Sequence, residues 1–317
     1  MMDIVIQIGL LVLGFVMLIK GADWFVGGAS SLADKLGIPQ LVIGLTIVAM
    51  GTSAPEAAVS ISAALKNTAE NDSAAIAIGN VIGSNIMNVL LILGITAAIT
   101  AIAVQTSTLK YELPFLLIIT VLLFGLGYFD GVVTRLDGVI LWACFIIYLL
   151  YLLWMAKKGQ AELEEAETVN SNPLILVLLL VGGGACIVVG SNVTVDAATE
   201  LARIFGMSER LIGLTIVAFG TSLPELITST TAALKKKADI AVGNIVGSNV
   251  FNILFVIGTT ALITDVPYNK NFFVDSMIAI AAVVLLFVCA VGKKKLTRPG
   301  GIIMLCCMAG YMIYLLV

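Results

Sequence analysis

The chain has 317 residues, of which 60% are hydrophobic and only 12% charged, with a mean hydropathy of +1.11 and a formal net charge of −3. That composition lies far outside the range of water-soluble domains and leaves little polar sequence for a separate soluble unit. There is no histidine, which removes the commonest zinc ligand and the commonest proton relay at neutral pH. The five cysteines, Cys144, Cys186, Cys289, Cys306 and Cys307, sit in apolar segments without metal-type or redox-type spacing; they read as small packing residues, and no disulfide is implied.

A spanning helix needs about 20 mostly apolar residues, and runs of that kind follow one another along the chain. They predict helices at 4–35, 40–65, 74–99, 113–128 and 134–155, then at 173–204, 209–234, 239–263, 272–291 and 299–316. No basic segment precedes the first run and no clear cleavage site follows it, so it reads as a retained helix and not as a signal peptide. The first and sixth helices are long, and each passes a glycine (Gly21, Gly190) and ends near another (Gly37, Gly206). Residues 157–172, with Glu162, Glu164, Glu165 and Glu167, read as a solvated cytoplasmic linker between a first unit at 1–156 and a second at 173–317.

Two sequence blocks occur twice, in the same order. Gly44-Leu-Thr-Ile-Val-Ala-Met-Gly-Thr-Ser-Ala-Pro-Glu56 returns 169 residues later as Gly213-Leu-Thr-Ile-Val-Ala-Phe-Gly-Thr-Ser-Leu-Pro-Glu225. Gly79-Asn-Val-Ile-Gly-Ser-Asn-Ile-Met-Asn88 returns 164 residues later as Gly243-Asn-Ile-Val-Gly-Ser-Asn-Val-Phe-Asn252. Ordered recurrence means duplicated halves. Five helices per half is an odd number, so the second half enters the bilayer upside down relative to the first. The expected fold is therefore an all-α integral membrane protein of ten transmembrane helices, built as two inverted five-helix repeats with helices broken at the midplane. With the central loop inside, eleven Lys and Arg residues fall on the cytoplasmic side and five outside, Lys20 being left uncounted. This bias puts both termini outside a multi-pass protein of the cell membrane.

A carboxylate at bilayer depth costs about 2.5–3.5 kcal/mol on insertion scales and marks a functional site by default. Glu56 and Glu225 are two such groups, and each follows a proline, Pro55 or Pro224. Proline has no N–H to give the carbonyl four residues earlier, at Gly51 or Gly220. The helix should break there, and freed carbonyls are good ligands for hard cations. Thr52 and Thr221 share the face of the glutamates one turn earlier, with Ser53 and Ser222 beside them. A kinked helix whose hydroxyls cap its own backbone around a protonated glutamate is the plainer reading of one copy; two matched copies favour a site. In the second block Asn80, Ser84 and Asn88 lie on one helix face, as do Asn244, Ser248 and Asn252. Gly79 with Gly83, and Gly243 with Gly247, suit close helix packing, while Asn85 and Asn249 point elsewhere and suit bridging between helices.

Together the blocks supply two carboxylates, two amides and several hydroxyl and carbonyl oxygens. That set fits Ca²⁺, which takes 6–8 oxygen ligands, or Na⁺, and disfavours soft metals and zinc. Two buried charges can be balanced by one Ca²⁺, by two or more Na⁺, or by protons. An empty site would carry two unpaired carboxylates through the membrane interior, so loaded forms should switch sides readily and the empty form slowly.

At these residues the sequence resembles the calcium/cation antiporter superfamily, and most closely the prokaryotic sodium/calcium exchangers of ten-helix architecture. Gly-Thr-Ser-x-Pro-Glu and Gly-Asn-x-x-Gly-Ser-Asn are similar to that family's two α-repeats. The resemblance implies that Glu56 and Glu225 are central ligands, joined by Thr52, Ser53, Ser84, Asn88, Thr221, Ser222 and Ser248 and by the carbonyls of Ala49 and Ala218. Asn252 completes the candidate set; some prokaryotic relatives have an aspartate there, which leaves proton sensitivity and Na⁺ number open. The resemblance further implies antiport of Na⁺ for Ca²⁺ by alternating access, with the first and sixth helices sliding across the core. The expected partners are those two ions and the bilayer, with no cofactor, no nucleic acid, no required oligomer and no enzymatic reaction. A Ca²⁺/H⁺ or K⁺-assisted exchanger is the nearest alternative, a passive channel the next. An intramembrane hydrolase using either glutamate as base lacks a histidine and a nucleophile–base pair.

Overall fold

The computed structural model describes residues 2–67, 74–163, 172–207 and 218–316. The first half contains α1 (Met2–Leu36), α2 (Gln40–Thr52), α3 (Ala54–Leu65), α4 (Ala75–Ile99), α5 (Thr108–Asp130) and α6 (Arg135–Leu163). The second contains α7 (Pro173–Ile204), α8 (Ala218–Gly220), α9 (Leu223–Leu234), α10 (Ala238–Ile263), α11 (Asn271–Val291) and α12 (Arg298–Leu316). Among the described residues eight helices are long and apolar enough to cross a bilayer, and α2 with α3, bent by 51° where they meet, bring the number to nine when the pair is counted as one broken span. The first residues of the helix expected at 209–234 lie outside the described residues, as do Gly213 to Val217 of the repeated block and Glu164, Glu165 and Glu167 of the linker.

The all-helical expectation holds, with two small ladders added. Strand β1 (Ile102–Ala103) pairs antiparallel with β4 (Lys295–Leu296), and β2 (Val132–Val133) with β3 (Val266–Pro267). Two helices run longer than expected. Helix α5 starts at Thr108, five residues before the predicted start at Leu113, because Thr108–Glu112 is wound as a π-helix; that winding already dispenses with the i→i−4 bond that Pro114 cannot make. Helix α6 continues to Leu163 through Ala, Lys, Gln and Glu, good helix formers that carry it past Gly159.

Further π-helical turns occur at Gly44–Val48, Met87–Leu93 and Asn252–Ile257, within or beside both repeated blocks. Apolar surroundings force the helical threonines to find partners in their own backbone: Thr96 bonds Ile92 O at 2.7 Å and Thr260 bonds Val256 O at 2.8 Å. Helices α1 and α7 end alike, in left-handed Gly37 (φ 63°) and Gly206 (φ 80°), where the N–H of the residue after the glycine reaches back five residues, Ile38 to Ala33 O and Met207 to Ala202 O, each at 3.0 Å.

The same two helices pack antiparallel along most of their length. Gly21 meets Gly183 and Gly14 meets Gly190 so closely that a Cβ on any of the four would come within 2.9 Å of the opposing carbonyl. Small residues allow this backbone contact where lipid gives helices no hydrophobic reason to associate. Behind the pair, α10 is buried almost throughout, while α1 shows its outer face. Helices α4 and α10, with α2, α3 and α9 against them, form the centre of the molecule.

Candidate cation site

The two Gly-Thr-Ser-x-Pro-Glu motifs break their helices at the serine. Ser53 (φ −84°, ψ 8°) separates α2 from α3, and Ser222 (φ −91°, ψ 1°) precedes α9. The proline follows within the first two positions of the new helix, where its missing N–H costs nothing. Glu56 and Glu225 therefore stand in first helical turns, where the positive end of the helix dipole favours their charge. They are 1% and 0% exposed.

Hydroxyls cross between the halves. Ser53 Oγ donates to Glu225 Oε1 at 2.9 Å, and the Thr221 hydroxyl bonds Glu56. Thr52 Oγ1 donates to Asn244 Oδ1 at 2.9 Å and lies by the carbonyls of Val48 and Ala49.

An amide network joins α4 to α10. Asn85 Nδ2 donates to Asn249 O at 3.2 Å, and Asn249 Nδ2 to Asn85 O at 3.1 Å, the bridging expected for this pair. Each then offers its Oδ1 to the other half's last asparagine: Asn88 Nδ2 donates to Asn249 Oδ1 at 2.9 Å and Asn252 Nδ2 to Asn85 Oδ1 at 3.2 Å. With their donors committed, Asn88 and Asn252 present bare Oδ1 atoms. The Asn88 stretch packs against α9, which carries Glu225, and the Asn252 stretch against α3, which carries Glu56.

The consequence is a set of buried acceptors that nothing among the described residues satisfies. Glu56 Oε2, Glu225 Oε2, Asn88 Oδ1, Asn252 Oδ1 and Ser222 Oγ all lack a hydrogen-bond partner among the described residues. One such group costs about 1–3 kcal/mol, so a group of them is a standing demand for a positive charge. Among the described residues no three His, Cys, Asp or Glu side chains gather; the site offers two carboxylates and otherwise neutral oxygen, as hard cations prefer.

Other candidates sit differently. Ser248 Oγ bonds Ala49 O at 3.4 Å, and that carbonyl also accepts the Ser53 N–H at 3.0 Å, so these two expected ligands are engaged with each other. Ser84 is buried on α4 between Asn80 and Asn88. Ala218 opens α8, and the Ser222 N–H is directed to Phe219 O at 3.2 Å. The Gly220 carbonyl, expected to be free, is taken by Ser191 Oγ of α7 at 2.9 Å; a polar residue on a neighbouring helix had no motif to announce it. Asn80 braces the first glutamate helix, donating to Glu56 O at 3.1 Å and Ser60 Oγ at 2.9 Å, and Asn244 braces the second through Ser229 Oγ at 2.9 Å. Sequence reading passed over Ser60 and Ser229, although each lies four residues after its glutamate. Thr228, whose buried hydroxyl is also unpartnered, faces Val59 in the repeat and gave no such signal.

Paired broken helices around two buried carboxylates define a membrane protein of ion transport. The family model described as sodium/calcium exchanger protein matches residues 6–154 and 175–317, and the chain belongs to that family. CaxA of Alkalimonas amylolytica is 40% identical over 94% of this chain and 95% of its own. The inner membrane protein YrbG of Escherichia coli (strain K12) is 35% identical over 96% and 94%. Among solved structures, the sodium-calcium exchanger NCX_Mj soaked with zero Na⁺ and Ca²⁺ superimposes with a TM-score of 0.84 at 32% identity, covering 98% of this chain and 99% of that one.

Proposed function

We propose that the protein is a Na⁺/Ca²⁺ antiporter working by alternating access, with Glu56 and Glu225 as ligands shared by the two cations. The carrying observation is the set of unsatisfied acceptors at Glu56, Glu225, Asn88, Asn252 and Ser222. Thr52, Ser53, Ser84, Thr221 and Ser248 and the carbonyls of Ala49 and Ala218 complete the oxygen shell as the ion settles. One Ca²⁺ neutralises both carboxylates; two or more Na⁺ do the same. The empty form retains two buried unpaired charges, which makes its switching slow, and exchange follows from that inequality without an added gate. The glycine contact between α1 and α7 supports their sliding as one unit across the core. The chain is read as ten spans in two inverted repeats, 1–156 and 173–317, with the linker 157–172 in the cytoplasm, both termini outside and the cell membrane as its location.

The deciding experiment is radioactive Ca²⁺ uptake into liposomes holding the purified protein, preloaded with Na⁺, with K⁺ or with an acid interior at matched ionic strength. Uptake only with internal Na⁺ is expected. Uptake driven by the acid or K⁺ interior would assign a different counter-ion, and uptake indifferent to the interior would refute antiport.

A further inference from the structure

Away from the helix breaks, α5 and α6 enclose a second group of buried polar atoms. Glu112 is 1% exposed. Its carboxylate accepts a hydrogen bond from the Tyr151 hydroxyl of α6 through Oε1, while Oε2 has no partner among the described residues. The hydroxyl of Tyr148, one turn earlier on α6 and 3% exposed, is also unpartnered. Both side chains line a cavity of about 320 Å³, large enough for a small polar group. Its walls are aromatic: Phe115 stacks on Tyr148 with centroids 5.5 Å apart, and Tyr111 lies 6.2 Å from Tyr151. Ile118 and Ile147, which also line it, are 64% and 61% exposed, so one side of the cavity turns to lipid acyl chains. Lys110 is exposed at its rim.

The geometry points to a binding site for the headgroup of an aminophospholipid, with its primary ammonium against Glu112 and Tyr148 and its phosphate on Lys110. The charges on the protein, one carboxylate within and one ammonium at the rim, are the complement of that zwitterion. A primary ammonium brings three N–H donors, which match Glu112 Oε2 and the Tyr148 oxygen and leave the cation over aromatic faces. A quaternary ammonium has no N–H to give Oε2. A bare metal ion would find too few oxygens here, and an anionic headgroup without an amine would meet the Glu112 charge. Soluble phosphoethanolamine shares the headgroup chemistry, but the apolar, lipid-facing side at Ile118 and Ile147 is matched only by attached acyl chains. This site is independent of the cation site and of the exchange reading.

The test uses the purified full chain in delipidated detergent micelles, offered equal amounts of dioleoyl phosphatidylethanolamine and dioleoyl phosphatidylcholine, with retained lipid read by native mass spectrometry. Phosphatidylethanolamine is expected to be held about tenfold better, the size of one charge-assisted hydrogen bond in a dry pocket, and Glu112→Gln and Tyr148→Phe should each bring the ratio near one. Tyr148→Phe removes a single oxygen and carries the test if Glu112→Gln does not fold. Equal retention of the two lipids by the unmodified protein would overturn the proposal, as would an unchanged preference in Tyr148→Phe. Binding of soluble phosphoethanolamine without retention of the lipid would overturn the lipid assignment.

Discussion

Asn252→Asp probes whether the amide network sets the direction of the site oxygens. The Asn252 amide donates to Asn85 Oδ1 at 3.2 Å and leaves its own Oδ1 bare. Asn85 does not turn its amide over to accommodate a change without cost, because its Nδ2 is committed to the main-chain carbonyl of Asn249 at 3.2 Å. Residue 252 must therefore bring a donor. An ionised aspartate has none, so the variant loses a buried hydrogen bond, orphans Asn85 Oδ1 and sets a third carboxylate beside Glu56 and Glu225. The hydrogen-bond loss alone costs about 1–3 kcal/mol, which corresponds to about 2–4 °C in unfolding temperature per kcal/mol; charge repulsion adds to it. Bound Ca²⁺ relieves both, so it should stabilise the variant more than the unmodified protein. The assay is thermal unfolding of detergent-solubilised protein, followed by the fluorescence of Trp24, Trp142 and Trp154, in excess chelator and in saturating CaCl₂. An unchanged transition in chelator, or no extra stabilisation by Ca²⁺, would refute the reasoning.

Glu56→Gln and Glu225→Gln should each abolish Ca²⁺ uptake while leaving the protein folded, since the amide occupies the same space; near-normal flux in either would remove that residue from the site. Without cations, Ser53→Ala should lower the unfolding temperature, because Ser53 Oγ serves Glu225 at 2.9 Å and a hydrogen bond to a charged group contributes about 1.5–3 kcal/mol. Ser222→Ala should change it little, since the Ser222 hydroxyl has no partner among the described residues; equal effects in calorimetry would contradict this assignment. Gly183→Ala puts a methyl 2.7 Å from Phe25 N and 2.8 Å from Gly21 O. Backbone cannot yield as a side chain would, so overpacking of about 1–3 kcal/mol and slowed uptake are expected, and unaltered melting and flux would show that α1 and α7 do not rely on this contact.

The helices and the two glutamates were legible because their signals are local. Apolar runs of bilayer length mark spans, and a proline before a buried glutamate marks a break whichever helix lies opposite. The bridging role of Asn85 and Asn249 was also readable, as an off-stripe position on a helix whose polar stripe was already assigned. What sequence could not supply was pairing between segments far apart in the chain. Ser191 takes the Gly220 carbonyl from α7, and Glu112 meets Tyr151 only because α5 and α6 lie side by side; neither contact has a periodicity or a motif. The π-helical turns at Met87–Leu93 and Asn252–Ile257 were illegible for another reason: their residues are ordinary helix formers, and the extra residue per turn answers to packing and not to propensity.

The differences between the two halves have two separate origins. At the position of Ser191 the first half has Ala22, and at the position of Thr228 it has Val59, 169 residues earlier in each case; those contacts differ because the residues differ, and no rearrangement can make the halves equivalent there. Ser53 and Ser222, by contrast, are the same residue in the same motif with nearly the same backbone angles. Yet one hydroxyl is bonded to a glutamate and the other has no partner among the described residues. Identical side chains at matched positions with different partners are what two halves held in different conformations give. Under the proposed alternation the two serines are then the positions at which the halves exchange roles, which is why the comparison of Ser53→Ala with Ser222→Ala discriminates more sharply than either change alone.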